Sequence, residues 1–230
     1  MLHRPRIPEL AQRDRFIRRA VSEGRVLTFA DEETASVPSQ KVKGRTVQLF
    51  WSSRIEATRW AEALAGNNEL QDIGLVTFAA EILPGIAKGK GFAGTDWVSD
   101  PIEAEVDPVD LLIRLKTEAV PYYASAAAGR GEVFLVADET GPILTPAGPW
   151  APSGDLLHVF AARAEAERHL KQAGGKRVIA ASIADLVGVT LPWAATRAHA
   201  VAIEPIAGAG FLEVKIGEFG RQLAAAQPSA

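Results

Sequence analysis

The stretch Leu49-Phe50-Trp51-Ser52-Ser53-Arg54-Ile55-Glu56-Ala57-Thr58-Arg59-Trp60 runs from an apolar segment through two serines into helical spacing. The same pattern returns about a hundred residues later as His158-Val159-Phe160-Ala161-Ala162-Arg163-Ala164-Glu165-Ala166-Glu167-Arg168-His169. Recurrence of a whole strand-to-helix unit restricts the chain to a fold built twice. Other positions keep step. Phe16, Ile17 and Ala20 are answered by Tyr123, Ala124 and Ala127, Gly24 by Gly131, and Ala30-Asp31-Glu32 by Ala137-Asp138-Glu139. Two copies are too few for a solenoid. The expectation is therefore an α+β chain of two tandem, duplicated halves, residues 8–117 and 121–224, with a disordered tail at 225–230. Each half should hold a small, mostly antiparallel or mixed sheet of about five strands with three to four helices, the halves packing as a pseudo-twofold in the manner of a fused homodimer.

Local patterns place the elements. Phe16, Ile17 and Ala20 lie at helical spacing in a segment with seven arginines against three acids up to Arg25, which reads as a solvated helix face rather than a phosphate-binding arm. Residues 26–29 and 46–51 read as strands, the second with Val47, Leu49 and Trp51 on one side. Residues 54–65 read as a helix with Ala57, Trp60, Ala61 and Leu64 inward, ended by Gly66. Its second version turns Ala166, His169, Leu170 and Ala173 inward and ends at Gly175. A strand over 73–76, a helix capped by Thr77 and stopped at Pro84-Gly85, and strands over 91–94 and 102–106 follow. Ser182 stands near Thr77's role in the second copy. Asp107-Pro108 opens a further helix, and residues 117–121 read as the junction.

Composition bounds the partners. A net charge of −3 over 230 residues gives no general pull toward nucleic acid or an anionic membrane. No cysteine is present, which fits a cytoplasmic setting. The basic start is followed by charged residues rather than an apolar core, and no stretch has the roughly 20 apolar residues that span a bilayer.

The motifs that could carry chemistry each have a structural explanation. Ser52-Ser53 resembles a nucleophile pair, but Ser53-x-x-Glu56 is a capping box. The second copy has Ala162 in place of Ser53, so any function of this corner belongs to the first copy. Gly89-Lys90-Gly91-Phe92-Ala93-Gly94 satisfies the dinucleotide pattern in reversed context, with a helix before it and a strand after. His3, His158, His169 and His199 are not at metal-ligand spacing, and His169 takes Trp60's inward position as an interface or packing histidine. Adjacent acids Asp31-Glu32 and Asp138-Glu139 point to opposite faces and read as polar turns. Trp51 and Trp60 read as core; Trp97, in a turn beside Asp96, is the candidate surface anchor.

With Phe50-Trp51-Ser52-Ser53-Arg54-x-Glu56-Ala57, Leu83-Pro84-Gly85-Ile86, Gly94-Thr95-Asp96-Trp97 and Glu105-Val106-Asp107-Pro108-x-Asp110-Leu111-Leu112, the first copy resembles DUF 2750, a bacterial family of unknown function, from about Phe16 to Leu115. The second copy fits through its opening strand and Arg163-x-Glu165-Ala166-x-Arg168, and departs at the positions of Trp51, Ser52, Ser53 and Trp97. The layout is also similar, more loosely, to the N-terminal domain of the SseB proteins. Neither resemblance implies a reaction.

These readings favour a non-enzymatic interaction or regulatory module with a protein partner, no cofactor and no metal. Its binding rim is Arg54, Arg59, Asp96 and Trp97. The rival is a small-ligand or hydrolytic site between the halves using Ser52, Asp31 and Glu32. A third reading is an immunity-type protein that neutralises a toxin.

Overall fold

The computed structural model describes residues 7–30, 35–63, 69–98, 104–146, 154–204 and 211–226. The chain divides into two compact units, Met1–Glu118 and Ala119–Ala230. Both are α+β, and they are similar halves.

In the first unit, α1 (Ile7–Glu23) leads through Gly24, at φ +68°, into β1 (Arg25–Phe29). β2 (Ser36–Pro38), β3 (Thr46–Phe50), α2 (Arg54–Ala63) and β4 (Leu70–Gly74) follow. Then come α3 (Leu75–Thr77), a π-helical turn (Phe78–Ile82), α4 (Leu83–Lys88), β5 (Phe92–Thr95) and β6 (Glu105–Val106). β4 pairs antiparallel with β1, and the order β2-β3-β5-β6 makes a second sheet. Within it β3 and β5 run parallel, Val47 opposite Phe92 and Phe50 opposite Thr95. An antiparallel bridge between Leu27 and Trp51 ties the two sheets.

Alternation explains the layering. Val47, Leu49 and Trp51 pack on one face with Leu27, Phe29, Ala57 and Trp97, and α2 covers them with Trp60 and Ala61. Phe50 points to the other face, where its ring meets Phe78 at 4.7 Å, and Phe78 meets Phe16 of α1 at 6.2 Å.

α5 (Pro108–Arg130) begins in the first unit and ends in the second. Asp107 caps it, its carboxylate accepting the Val109 and Asp110 N–H groups at 2.9 and 3.1 Å. The helix continues through residues 117–121, where the sequence suggested a junction, and tolerates Pro121 inside.

The second unit repeats the order. β7 (Glu132–Ala137), β8 (Thr145–Pro146), β9 (Asp155–Val159), α6 (Arg163–Ala173) and β10 (Arg177–Ser182) come first. α7 (Ile183–Asp185), a π-helical turn (Leu186–Thr190), α8 (Leu191–Ala195), β11 (Ala200–Ile203), β12 (Leu212–Val214) and α9 (Ile216–Ala226) complete it. β10 pairs with β7, the second sheet runs β12-β11-β9-β8, and a Phe134–Phe160 bridge replaces Leu27–Trp51. Again the middle pair, β9 and β11, is parallel.

The π turns recur at the same place and have a local cause. A proline inside a helix lacks an N–H and its ring clashes with the carbonyl four residues back. Leu83, just before Pro84, donates instead to the Phe78 carbonyl five residues back, and Leu191, before Pro192, does so to Leu186. The widened turn lets the helix pass the proline. Pro84 therefore does not stop this helix as expected, and α4 runs on to Lys88.

Other expectations change. β4 ends at Gly74 and the next helix starts at Leu75, so Thr77 lies inside it rather than capping it. Ser182 does cap α7, accepting the Asp185 N–H at 3.0 Å. α6 ends on Gly174 at φ +70°, while Gly175 abuts Val136 and Leu170. α9 extends to Ala226, into the expected tail, and residues 227–230 lie outside the described residues. Leu64, Gly66 and the Asp31-Glu32 pair lie outside them too.

Candidate functional site

The polar corner of the first unit forms where β3 and β5 end side by side. β5 closes with Thr95, and Asp96 turns the chain at φ +50°, a left-handed conformation that Asp tolerates better than most residues. That turn aims the Asp96 carboxylate at the residue after the Leu27–Trp51 bridge. It accepts the Ser52 backbone N–H at 2.6 Å and the Ser52 hydroxyl at 2.8 Å. Asp96 is fully buried. From α1, Gln12 donates to the Thr95 and Asp96 carbonyls at 2.8 and 2.5 Å. Arg15 brings its Nε to 3.9 Å from the carboxylate and its Nη2 to 3.4 Å from Glu56, which Arg19 also approaches at 3.4 Å.

Burial pushes the Asp96 pKa up to about 6, and Glu56 adds to the rise. The two Ser52 hydrogen bonds and Arg15 oppose it. Ser52 is thus a donor that holds a buried carboxylate. Its hydroxyl is not free to attack a substrate.

Trp97 is buried at 2 % exposure, not a surface anchor. The cause is Gly94. A Cβ there would stand 2.5 Å from Leu49 and 3.1 Å from the Trp97 ring, so the missing side chain lets the indole lie over β5. Trp97 Nε1 donates to the Ala104 carbonyl at 3.0 Å, and the Trp97 carbonyl accepts Trp51 Nε1 at 2.7 Å. The last glycine of the Gly-x-Gly-x-x-Gly pattern serves a tryptophan, and α4 precedes the pattern while β5 follows it.

The expected rim therefore separates. Asp96 and Trp97 are interior. Arg54 and Arg59 stay exposed on α2. Arg54 reaches Asp72 at 3.2 Å, and Asp72 also pairs with Arg25. Arg59 has no ion-pair partner among the described residues. With Ile55, Thr58 and Glu62 they line a shallow surface hollow, and Ile55 is 68 % exposed. Ser53 supplies its carbonyl to the Ala57 N–H, while Glu56 turns to Arg15 and Arg19, so the capping box is not closed.

A separate cleft of about 610 Å³ is lined by Thr28 and Phe29 of β1, Ser36 of β2, Gln48 and Phe50 of β3 and Gln71 of β4. Ser52 is not on it. The acids of the second copy form turns: Asp138 accepts from Thr140 and Gly141, which lowers its pKa, and Glu139 meets Lys176 at 2.8 Å.

Residues 13–115 match the family DUF2750, protein of unknown function. The match falls wholly within the first unit. Its matched stretch holds every member of the polar corner from Arg15 to Asp96 and the whole of α2. No curated protein matches the chain. A solved structure described as "Anabaena Tic22 (protein transport)" is similar over 94% of this chain and 98% of its own, at 12% identity and a TM-score of 0.26, too slight a likeness to carry an argument.

Arg15 and Arg19 belong to the stretch whose spacing reads as a solvated arginine face, and Gln12 lies within it; comparison of the two halves holds the signal that sets them apart. The residues at the matching positions of the second half are Ala119, Tyr122 and Ala126, so the polar set of α1 is special to the first unit.

Among the described residues, no helix is long and apolar enough to cross a membrane and no group of three or more His, Asp or Glu could hold a metal ion.

Proposed function

We propose that the protein is a non-enzymatic interaction module of the cytoplasm, arisen by internal duplication, whose contact surface is the outer face of α2 in the first unit. One observation carries this reading. α2 leaves Ile55 68 % exposed between Arg54 and Arg59, and Arg59 has no ion-pair partner among the described residues. Large exposed apolar side chains flanked by arginine favour contact with protein. A partner that fits would offer an apolar socket beside a carboxylate.

The polar corner supports the reading from the other side. Asp96 and Ser52 satisfy each other in the interior, which fixes the start of α2 rather than serving chemistry. The second half carries Ala164 where the first has Ile55, so the contact is assigned to the first half alone.

The test is affinity capture from the native host's extract with wild type and with Ile55→Asp/Arg59→Glu, both checked by circular dichroism. The reading expects a partner retained by wild type and lost by the folded variant. Identical capture by both proteins would overturn it.

A further inference from the structure

We propose that the second unit holds a binding pocket for an uncharged heteroaromatic molecule of nucleobase size, on the sheet face that faces α6.

The two halves place different chemistry on the same face. In the first unit, Val37, Leu49 and Trp60 pack there on an apolar cluster. Strand register puts Thr145 at the position of Val37 and His158 at that of Leu49, because Val37 stands opposite Val47 as Thr145 does opposite Leu156. The recurrence puts His169 at the position of Trp60. Three apolar side chains have become three polar ones, and one indole has shrunk to an imidazole.

The exchange leaves a hollow of about 340 Å³, lined by Thr145, Leu156, His158, His169, Ala173 and Phe211. That lies within the size range of small-molecule sites. The His158 and His169 rings stack at 4.3 Å, and Phe211 meets them edge-on at 4.5 and 5.3 Å. Thr145 Oγ1 and His158 Nδ1 are buried and have no hydrogen-bond partner among the described residues. A buried polar atom without a partner carries a free-energy penalty that a bound ligand can remove. A hydroxyl can donate or accept, and an imidazole nitrogen does one or the other by tautomer.

The ligand's charge follows from the lining. Burial, helped by His169, holds His158 well below its ordinary pKa, at about 4, so its ring is neutral near pH 7. Glu213, the carboxylate on the lining, already has a partner in the chain. Among the described residues the lining holds no Lys or Arg and no second carboxylate to balance an ionic ligand, and no third ligating side chain joins the histidines. Flat π faces with one or two hydrogen-bonding atoms at the edge suit a planar ring bearing a donor and an acceptor.

The experiment is NMR titration of the full chain at neutral pH with benzimidazole as the probe. Wild type should show saturable shifts at His158, His169 and Phe211. Thr145→Val/His158→Leu, which installs the first unit's residue types, should bind about tenfold more weakly, the scale of one lost hydrogen bond. Ala173→Leu, which fills the hollow and leaves both polar atoms in place, should not bind, and it decides the matter if the double variant fails to fold. Absence of saturable shifts in wild type at millimolar probe, or undiminished affinity in a folded Ala173→Leu, overturns the proposal.

Discussion

The Asp96 carboxylate accepts both the backbone N–H and the hydroxyl of Ser52, at 2.6 and 2.8 Å, inside the first unit. These two residues lie 44 positions apart in sequence and join the ends of the parallel strands β3 and β5. The start of α2 is set by this contact, and α2 carries the surface to which we assign the function.

Removing the hydroxyl should be felt as lost stability. Ser52→Ala leaves a buried carboxylate with one donor fewer, a loss of about 1–3 kcal/mol. The second half manages with Ala161 at the matching place, so the fold should survive. Urea denaturation checks this: a midpoint unchanged from wild type would contradict it.

Acid should stabilise the first unit at this site. The Asp96 pKa is raised from 3.8 to about 6, so ionisation is less favourable in the folded state than in the unfolded chain. The contribution is fully present below about pH 4 and is lost as pH rises through about 6, to a total on the order of 3 kcal/mol. Asp96→Asn should flatten the dependence in that window. Denaturation followed by tryptophan fluorescence at a series of pH values reads it; parallel profiles for the two proteins would contradict it.

The second unit should respond in the opposite sense. His158 falls from 6.5 to about 4, so its contribution is present above about pH 6.5 and is lost as pH drops toward 4. His158→Leu, with the residue type of the first half, should abolish that loss. Hydrogen exchange of β9 amides between those pH values measures it, and acid sensitivity that persists in the variant would contradict it.

Gly94 should not accept a side chain. Gly94→Ala puts a Cβ 2.5 Å from Leu49 and 3.1 Å from the Trp97 ring. Overpacking of this kind typically costs about 1–3 kcal/mol. A thermal melt should show a lower midpoint, and an unaltered one would contradict the role given to this glycine.

Much of the fold is legible because the residue pattern of the first half recurs in the second. The inward faces of α2 and α6, the Asp107 cap and the parallel-strand segments follow from spacing alone. β2 and β8 were missed because each is a very short edge strand ending in proline, Pro38 and Pro146, and shows no alternation. The helix expected to stop at Pro84 runs on because a π turn, invisible to a 3.6-residue period, makes room for the ring, as another does before Pro192. At the site, Arg54 and Arg59 lie on the surface as read. Trp97 does not, since its burial depends on an absent side chain at Gly94. Ile55 was overlooked because a single exposed isoleucine leaves no pattern.

Site-specific photo-crosslinking tests most directly whether α2 of the first unit meets a partner. A photoreactive residue is placed at Ile55, and in a second protein at Ala164, the matching position on α6. Irradiation in the native host should give a discrete higher-mass adduct from position 55 and none from position 164. No adduct at position 55, or equal adducts at both positions, would contradict the account.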